Sequence, residues 1–466
     1  MSQTNIVYQV EDRPSWGKTA VFALQQLLAI LAATIAVPAI VGHGMSPAAA
    51  LFGAGVGTLV YLLFTKFKSP VFLGSSFAFL GSMAAAFAGA AGAALGYFGI
   101  LLGAIFGGLV YVIIALVVKF FGTAWISKLM PAVVIGPTVA IIGLSLAGNA
   151  IGDLLKGSYY AEVAPGVFEL TGNMWIALLC GLVTLFTTVI VSVYGKGFLK
   201  MIPFVFGIVA GYAVAACFTG IGWAAGNDAL KLIDFGKFAS MEWIPSFTFV
   251  EAFKELGNIP SGVNVGEYIG TIAVAYVPVA FVVFAEHIAD HKNLSTVIDR
   301  DLLKEPGLHR TLLGDGVGSM AGAFFGGCPN TTYGESIGTV AISGNASVMT
   351  IFVTACACIV LSFVAPFATF LATIPSCVMG GVCIALYGFI AVSGLKMLQG
   401  VDLGDNKNLF VVSAILIAGI GGLSLTIGAV TLTEVACALI LGILINVVVR
   451  LGDKKANKED SSEENK

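Results

Sequence analysis

Charge is what this sequence has least of. Lys, Arg, Asp and Glu together make up 11% of its 466 residues, where a water-soluble protein carries about 25%. With 58% hydrophobic residues and a mean hydropathy of +0.97, the chain could not cover a water-facing surface with polar groups. A soluble enzyme is excluded. So is a single-span receptor with large aqueous domains, because no long polar stretch is left to build them. The 23 basic and 26 acidic residues give a net charge of −3, which argues against nucleic acid as a partner. Cysteine is sparse as well. The eight Cys lie scattered in apolar runs, none with the CxxC or Cys/His spacing of a zinc site, and read as small packing residues. No metal and no cofactor is expected. The first 16 residues lack a short apolar run with a cleavage site, so no secretory signal peptide is expected either.

What the sequence has in plenty is apolar runs of about the 20 residues that a membrane span needs. Twelve are clear, near 18–37, 48–65, 92–118, 131–150, 174–194, 201–223, 268–289, 311–327, 347–370, 375–395, 409–428 and 433–450. Two further segments, 70–89 and 329–344, are shorter and richer in Gly, Ser, Thr and Pro. If both cross, the basic residues divide 19 to 4 between the two faces. If neither does, they divide 15 to 8. The positive-inside rule favours the first division, with fourteen spans and both termini cytoplasmic.

The two weak segments share a design. Each starts at a proline, runs through an extended stretch and enters a helix of small residues: Ser69-Pro70-Val71-Phe72-Leu73-Gly74-Ser75-Ser76-Phe77 and Cys328-Pro329-Asn330-Thr331-Thr332-Tyr333-Gly334-Glu335-Ser336. They are the third and tenth spans, each third in a set of seven. Seven is odd, so the second set enters the membrane in the opposite sense. Interrupted segments at matching places in inverted repeats point to a transporter's binding site, because non-helical backbone at that depth needs a protein or cavity lining. The expected fold is an all-α polytopic membrane protein of fourteen segments in two inverted repeats, with broken strand–helix segments at the third and tenth positions. Gly314, Gly318, Gly322 and Gly326 recur every four residues, a smooth helix face for a close neighbour.

Ionisable residues at membrane depth are costly and therefore functional candidates. Glu286 and His287 close the apolar run 275–285, and Asp290 and His291 follow. Glu286 and Asp290 share one helix face. Asp315 lies one turn into the ninth span, and Glu335 opens the second broken helix. No basic residue lies at the depth of Glu286 or Glu335, so these carboxyls have no evident salt-bridge partner; one that carries a proton both donates and accepts hydrogen bonds. The plainer reading is a carboxyl bonded to backbone. For Asp290 and Asp315, a supporting role near the helix ends stands on equal terms. Two helix starts facing each other would offer N–H donors, the glutamates acceptors, and Phe77 and Tyr333 flat faces. Such a site suits a small, planar, neutral ligand with alternating N–H and C=O groups.

These stretches resemble the nucleobase–ascorbate transporter family, in its bacterial uracil-carrying branch. The likeness runs from about Arg13 to Gly452. It is carried by Leu73-Gly74-Ser75-Ser76-Phe77-Ala78-Phe79, Ala285-Glu286-His287-Ile288, Asp301-Leu302-Leu303, Pro306-Gly307-Leu308-His309-Arg310 and Pro329-Asn330-Thr331-Thr332-Tyr333-Gly334-Glu335. The resemblance implies a proton-coupled symporter importing uracil by alternating access, with xanthine or another purine as the alternative substrate. It implies a core domain (18–128 and 268–372) beside a gate domain (129–225 and 373–451) that often forms a homodimer. A cytoplasmic N-terminus (1–17), an outer loop (226–267) and a disordered tail (452–466) complete the division. By the same likeness Glu286 and Glu335 bind the substrate, backbone near Phe77 and Gly334 adds contacts, and Ala33, Tyr333 and Tyr387 line the pocket. Glu286, Glu335, Asp290 and Asp315 serve proton coupling. The chain departs from the family pattern at Asp290, where the uracil branch carries His, at Gln26, and at Ser336, Ser343 and Gly344.

Three other classes fit less well. Related inverted-repeat carriers bind anions, which two unpaired glutamates would repel. A membrane enzyme would need an HExxH, a GxSxG or a metal cluster, and none occurs in the spans. A passive channel has no use for broken helices around buried carboxyls.

Overall fold

Proline and glycine cut the apolar runs into helices and three short strand pairs. The computed structural model describes residues 6–463 apart from 91, 158–159, 165–166, 171–172, 255–263 and 428–429. In chain order the helices and strands begin with α1 (Trp16–Val41), α2 (Pro47–Phe64), β1 (Leu73–Ser75), α3 (Leu80–Ala88), α4 (Ala93–Phe121), α5 (Ala124–Leu129), α6 (Ala132–Ser145) and α7 (Ala147–Leu155). There follow β2 (Tyr160–Ala164), β3 (Val167–Leu170), α8 (Met174–Tyr194), α9 (Phe198–Met201), α10 (Pro203–Ala225), α11 (Thr248–Phe253), α12 (Val265–Ile298) and α13 (Leu308–Gly326). The chain ends with β4 (Asn330–Thr332), α14 (Gly334–Ser343), α15 (Val348–Ser362), α16 (Ala365–Ala372), α17 (Ser376–Lys396), α18 (Asn406–Ile420), β5 (Leu425–Ile427), β6 (Val430–Leu432) and α19 (Glu434–Glu463). Among the described residues nine helices are long and apolar enough to cross a membrane, or ten if the bent pair α15–α16 is one span. The protein is a multi-pass membrane protein.

Three expected spans differ in detail, the first being 311–327, since α13 is not among the helices apolar enough to cross. The run 347–370 is not one straight helix but bends by 84° between α15 and α16, where Pro366 sits in the first turn of the new helix. The run 409–428 stops being helical at Ile420, since Gly421 and Gly422 follow and Gly422 takes φ +71. Residues 255–263 of the expected outer loop and 464–466 of the expected tail lie outside the described residues.

The small-residue stripe does what its spacing implies. Gly318 of α13 faces Gly57 of α2 so closely that a Cβ on Gly318 would stand 2.7 Å from the Gly57 carbonyl oxygen. Gly326 faces the Ala49 carbonyl oxygen in the same manner, and Gly322 faces the Asn330 side chain. Contact at backbone distance replaces the hydrophobic drive that lipid removes. Helix α13 is thereby wedged between α2 and α4, while α12 packs on α4, and α15 on α1 and α2. A second group forms elsewhere, with α17 against α6, α7 and α8, α10 against α8, and α18 and α19 against each other and α6.

The broken segments meet in the middle. β1 pairs antiparallel with β4 in the register Leu73–Thr332, Gly74–Thr331 and Ser75–Asn330. All six residues are buried, so each strand satisfies polar groups of the other that lipid could not. Side chains finish the task. Thr58 Oγ1 accepts from Leu73 N at 2.9 Å and donates to its carbonyl at 3.1 Å. Ser336 Oγ accepts from Phe72 N, and Asn330 Nδ2 donates to the Gly53 carbonyl.

Candidate functional site

The strand pair delivers two helix starts to one place. β1 leads into a 3-10 turn over Phe77–Phe79 and then α3; β4 leads through Tyr333 into α14. Tyr333 is fixed at both ends, its N–H on the Phe72 carbonyl at 3.1 Å and its hydroxyl donating to the Ser75 carbonyl at 2.9 Å. Its ring lies where a Cβ on Gly74 would be, which is why that strand position is glycine. Gly334, by contrast, has nothing within 4 Å of a Cβ position and faces open space.

That space is a cavity of ≈ 350 Å³, within the range of small-molecule sites. Phe77, Tyr333, Gly334, Glu335, Glu286 and Asp290 all line it. The opposing wall is apolar, with Val139 and Ile142 of α6, Phe204 of α10, and Phe389 and Ile390 of α17. Glu286 and Asp290 stand one turn apart on α12, and Asp290 Oδ2 accepts a hydrogen bond from Thr332 Oγ1 at 2.7 Å. No ion pair among the described residues involves Glu286, Asp290 or Glu335. One cation, Lys200 of α9, does line the cavity, together with Asn293 and Ser393.

Six of the residues singled out from the sequence therefore share one cavity, and three do not line it. Ala33 is 1% exposed within α1. Tyr387 lies edge-on to Phe77, ring centroids 5.6 Å apart, so it backs the ring that the cavity sees. Asp315 is buried on α13, bonded to His287. Sequence reasoning missed Ser75, Thr331 and Thr332, whose place was readable from the extended stretches they belong to. It also missed the apolar wall from α6, α10 and α17, which has no local signature because helices far apart in the chain assemble it. Gln26 donates to the Ser336 carbonyl at 3.2 Å, so this departure from the family pattern braces the first turn of α14.

Comparison with known proteins agrees over nearly the whole chain. Residues 17–428 match the model of a permease family. The uracil permease of Bacillus caldolyticus is 39% identical over 446 residues, which are 95% of this chain and 94% of that protein. That of Bacillus subtilis strain 168 is 38% identical and covers 100% and 99%. The uracil permease of Escherichia coli K12 is 34% identical and covers 95% and 94%. Among solved structures, the transmembrane domain of a cyanobacterium bicarbonate transporter, BicA, superposes with a TM-score of 0.61 at 16% identity, covering 94% of this chain and 100% of that one. Murine solute carrier 26 family member A9, an anion transporter in the inward-facing state, gives 0.60 at 10% identity, covering 95% and 69%. These last two likenesses concern the fold alone.

Proposed function

The chain belongs to the nucleobase–ascorbate transporter family, and on that premise we propose that it imports uracil across the cell membrane in symport with protons, by alternating access. The observation that carries this reading is the convergence of Glu286, Glu335 and two helix starts on one cavity with no ion pair among them. Uracil is planar and neutral, with N–H and C=O groups along its edge. The glutamates accept from the N–H groups, free N–H groups at the start of α14 reach the carbonyls, and Phe77 and Tyr333 face the ring. An anion would meet three carboxyls against one cation, Lys200. Asp290 in the wall beside Glu286 favours a purine such as xanthine as the second reading.

In this reading fourteen segments cross, in two inverted sets of seven. The antiparallel pairing of the third with the tenth supports it. The two packing groups support a core of 18–128 and 268–372 and a gate of 129–225 and 373–451, with the cavity between them and the gate face available for a homodimer. Arg300 pairs with Glu11, and Lys68 with Glu305; the face that carries these pairs is the cytoplasmic one in our reading.

Uptake of labelled uracil into proteoliposomes, with and without an inward proton gradient, tests this for the wild type and Glu286→Gln. Gradient-dependent uptake that the variant loses is the expected result. Accumulation of xanthine but not uracil would replace the substrate, and uptake indifferent to the gradient would reject proton coupling.

A further inference from the structure

The chain between α10 and α11 passes from one packing group to the other. Thr219 of α10 holds its start. The Thr219 hydroxyl donates to the Ala215 carbonyl at 2.8 Å and accepts from two successive amides, Leu232 N at 3.0 Å and Ile233 N at 3.2 Å. Both of those side chains are buried. At the far end Phe247 meets Phe52 of α2, ring centroids 4.9 Å apart, and Phe249 stacks on Phe324 of α13 at 4.8 Å. Helix α11 then packs on α4 and α13. Between these two apolar seats the stretch from Asp234 to Ile244 is mostly exposed. Lys237 ties it down, its Nζ donating to the Ala372 carbonyl at 2.9 Å. Ala372 is the last residue of α16, where unpaired carbonyls and the negative end of the helix dipole favour a cation.

A second cavity, of ≈ 490 Å³, lies under this strap. Leu232, Asp234 and Lys237 line it from the strap, Ile35 from α1, and Ser376 and Met379 from α17. It shares no lining residue with the cavity that holds Glu286 and Glu335. Along α1, Ala29 lines the first cavity and Ile35 the second; along α17, Phe389 lines the first and Met379 the second. Ala33 and Tyr387 fall between these positions, which is why neither lines the first cavity: they belong to the wall between the two. The Glu11–Arg300 pair lies just before the start of α1, and the second cavity lies at the other end of that helix, so the two mark opposite faces.

We propose that the second cavity is the outer entry chamber of this carrier and that residues 226–247 are its lid, caught shut by Lys237 on the end of α16. The inference rests on the transport reading and deepens it. In that reading the two packing groups move against each other, and the lid is seated on both. Its start travels with α10 and its far end with α13, so their relative motion pulls on the exposed middle, where the catch is one hydrogen bond. Releasing Lys237 frees that middle without unseating either end. With the catch closed, as here, the outer chamber is covered while the first cavity extends toward Asn293 near the opposite face.

A thiol in the chamber reports on the lid without any substrate. Ser376→Cys in right-side-out vesicles should react slowly with a membrane-impermeant maleimide, after correction for labelling of the parent chain. Adding Lys237→Met, which keeps the stem and loses the donor, should speed the reaction about 3- to 10-fold, the loss of one hydrogen bond. Lys237→Arg should restore the slow rate. Met379→Cys should respond in the same sense, and it replaces the first reporter if that variant does not fold. Once labelled, Ser376→Cys should take up no uracil from outside. A Lys237 that only caps α16 would lower the melting temperature in Lys237→Met and leave labelling unchanged, which overturns the lid. Uracil uptake at the unlabelled rate after full labelling overturns the entry chamber. If Lys237→Met quickens labelling but the wild type takes up no uracil, the lid stands and the transport reading falls.

Discussion

The two broken segments are built alike and equipped differently. Each runs from a proline through three paired residues into a helix start, and each gives the other its backbone partners. Yet the first presents Phe77 to the cavity and no ionisable group, while the second presents Tyr333, Gly334 and Glu335. The first turns through a 3-10 step before α3; the second enters α14 at once. Their outer ends differ too. α14 is capped by Gly344, whose carbonyl accepts from Val7 N and Tyr8 N, and Ala346 N and Val348 N reach back to Tyr8 and Val10. The likeness answers a backbone demand, since neither strand could sit at membrane depth alone. In the proposed reading the difference answers a ligand demand, since a planar heterocycle needs an acceptor along its edge and an apolar surface against its face.

If chemistry is divided between the arms in this way, the largest loss should come from the acidic one. Glu335→Gln keeps the shape and removes the charge-assisted bond. Uracil affinity should fall by about 30- to 150-fold, equivalent to about 2–3 kcal/mol for a hydrogen bond to a charged group, as titration calorimetry on purified protein would show. Phe77→Ala should cost less, about 2- to 10-fold, since an aromatic contact contributes about 0.5–1.5 kcal/mol beyond its area. Equal losses in the two variants would erase the distinction between the arms.

Two glycines sharpen it further. A methyl group on Gly74 would collide with the Tyr333 ring, so Gly74→Ala should destabilise the fold by about 1–3 kcal/mol, a typical cost of overpacking. Gly334 has free space around it. Gly334→Ala should leave thermal stability unchanged and weaken uracil binding alone. A matched fall in melting temperature for both variants would mean that Gly334 serves packing and not the ligand.

Much of this was legible before any coordinates. Pro70 and Pro329, with the extended residues after each, marked the broken segments because proline and β-branched residues resist helix continuation. Glu286 and Glu335 stood out because charge is so scarce around them. The glycine stripe of α13 named its own packing face. Other features depend on distances in space that no local pattern records. The apolar wall from α6, α10 and α17 is one, since any Val, Ile or Phe in a span looks the same in sequence. Asp315 is another: its spacing placed it near the site, but only the fold shows that it turns to His287 and away from the cavity. The bend before α16 lay inside an unbroken apolar run, where Pro366 could equally have opened a kink or a new helix.

The smallest expected effect concerns the outer end of the second arm. Residues 7–12 hold the end of α14, and Glu11 is paired with Arg300, just past α12, at 2.6 Å. Both side chains are well exposed, 58% and 42%. The Arg300 guanidinium holds the Glu11 carboxyl below the usual carboxylate range. A carboxyl depressed in the folded state contributes stability that is complete above its unfolded value of about 4.3 and is lost as pH falls through the folded value. An exposed pair contributes at most about 1 kcal/mol, and salt screens it. Glu11→Gln should therefore lower the melting temperature slightly at neutral pH in low salt, by less as pH falls through the acid range, and by less in high salt. Hydrogen exchange should quicken at Ala346 and Val348, whose amides the segment holds, and stay unchanged at Gly89 and Ala90 beyond α3. Quickening at both ends would mean that the clasp stabilises the whole strand pair, and that the two arms are anchored as one unit.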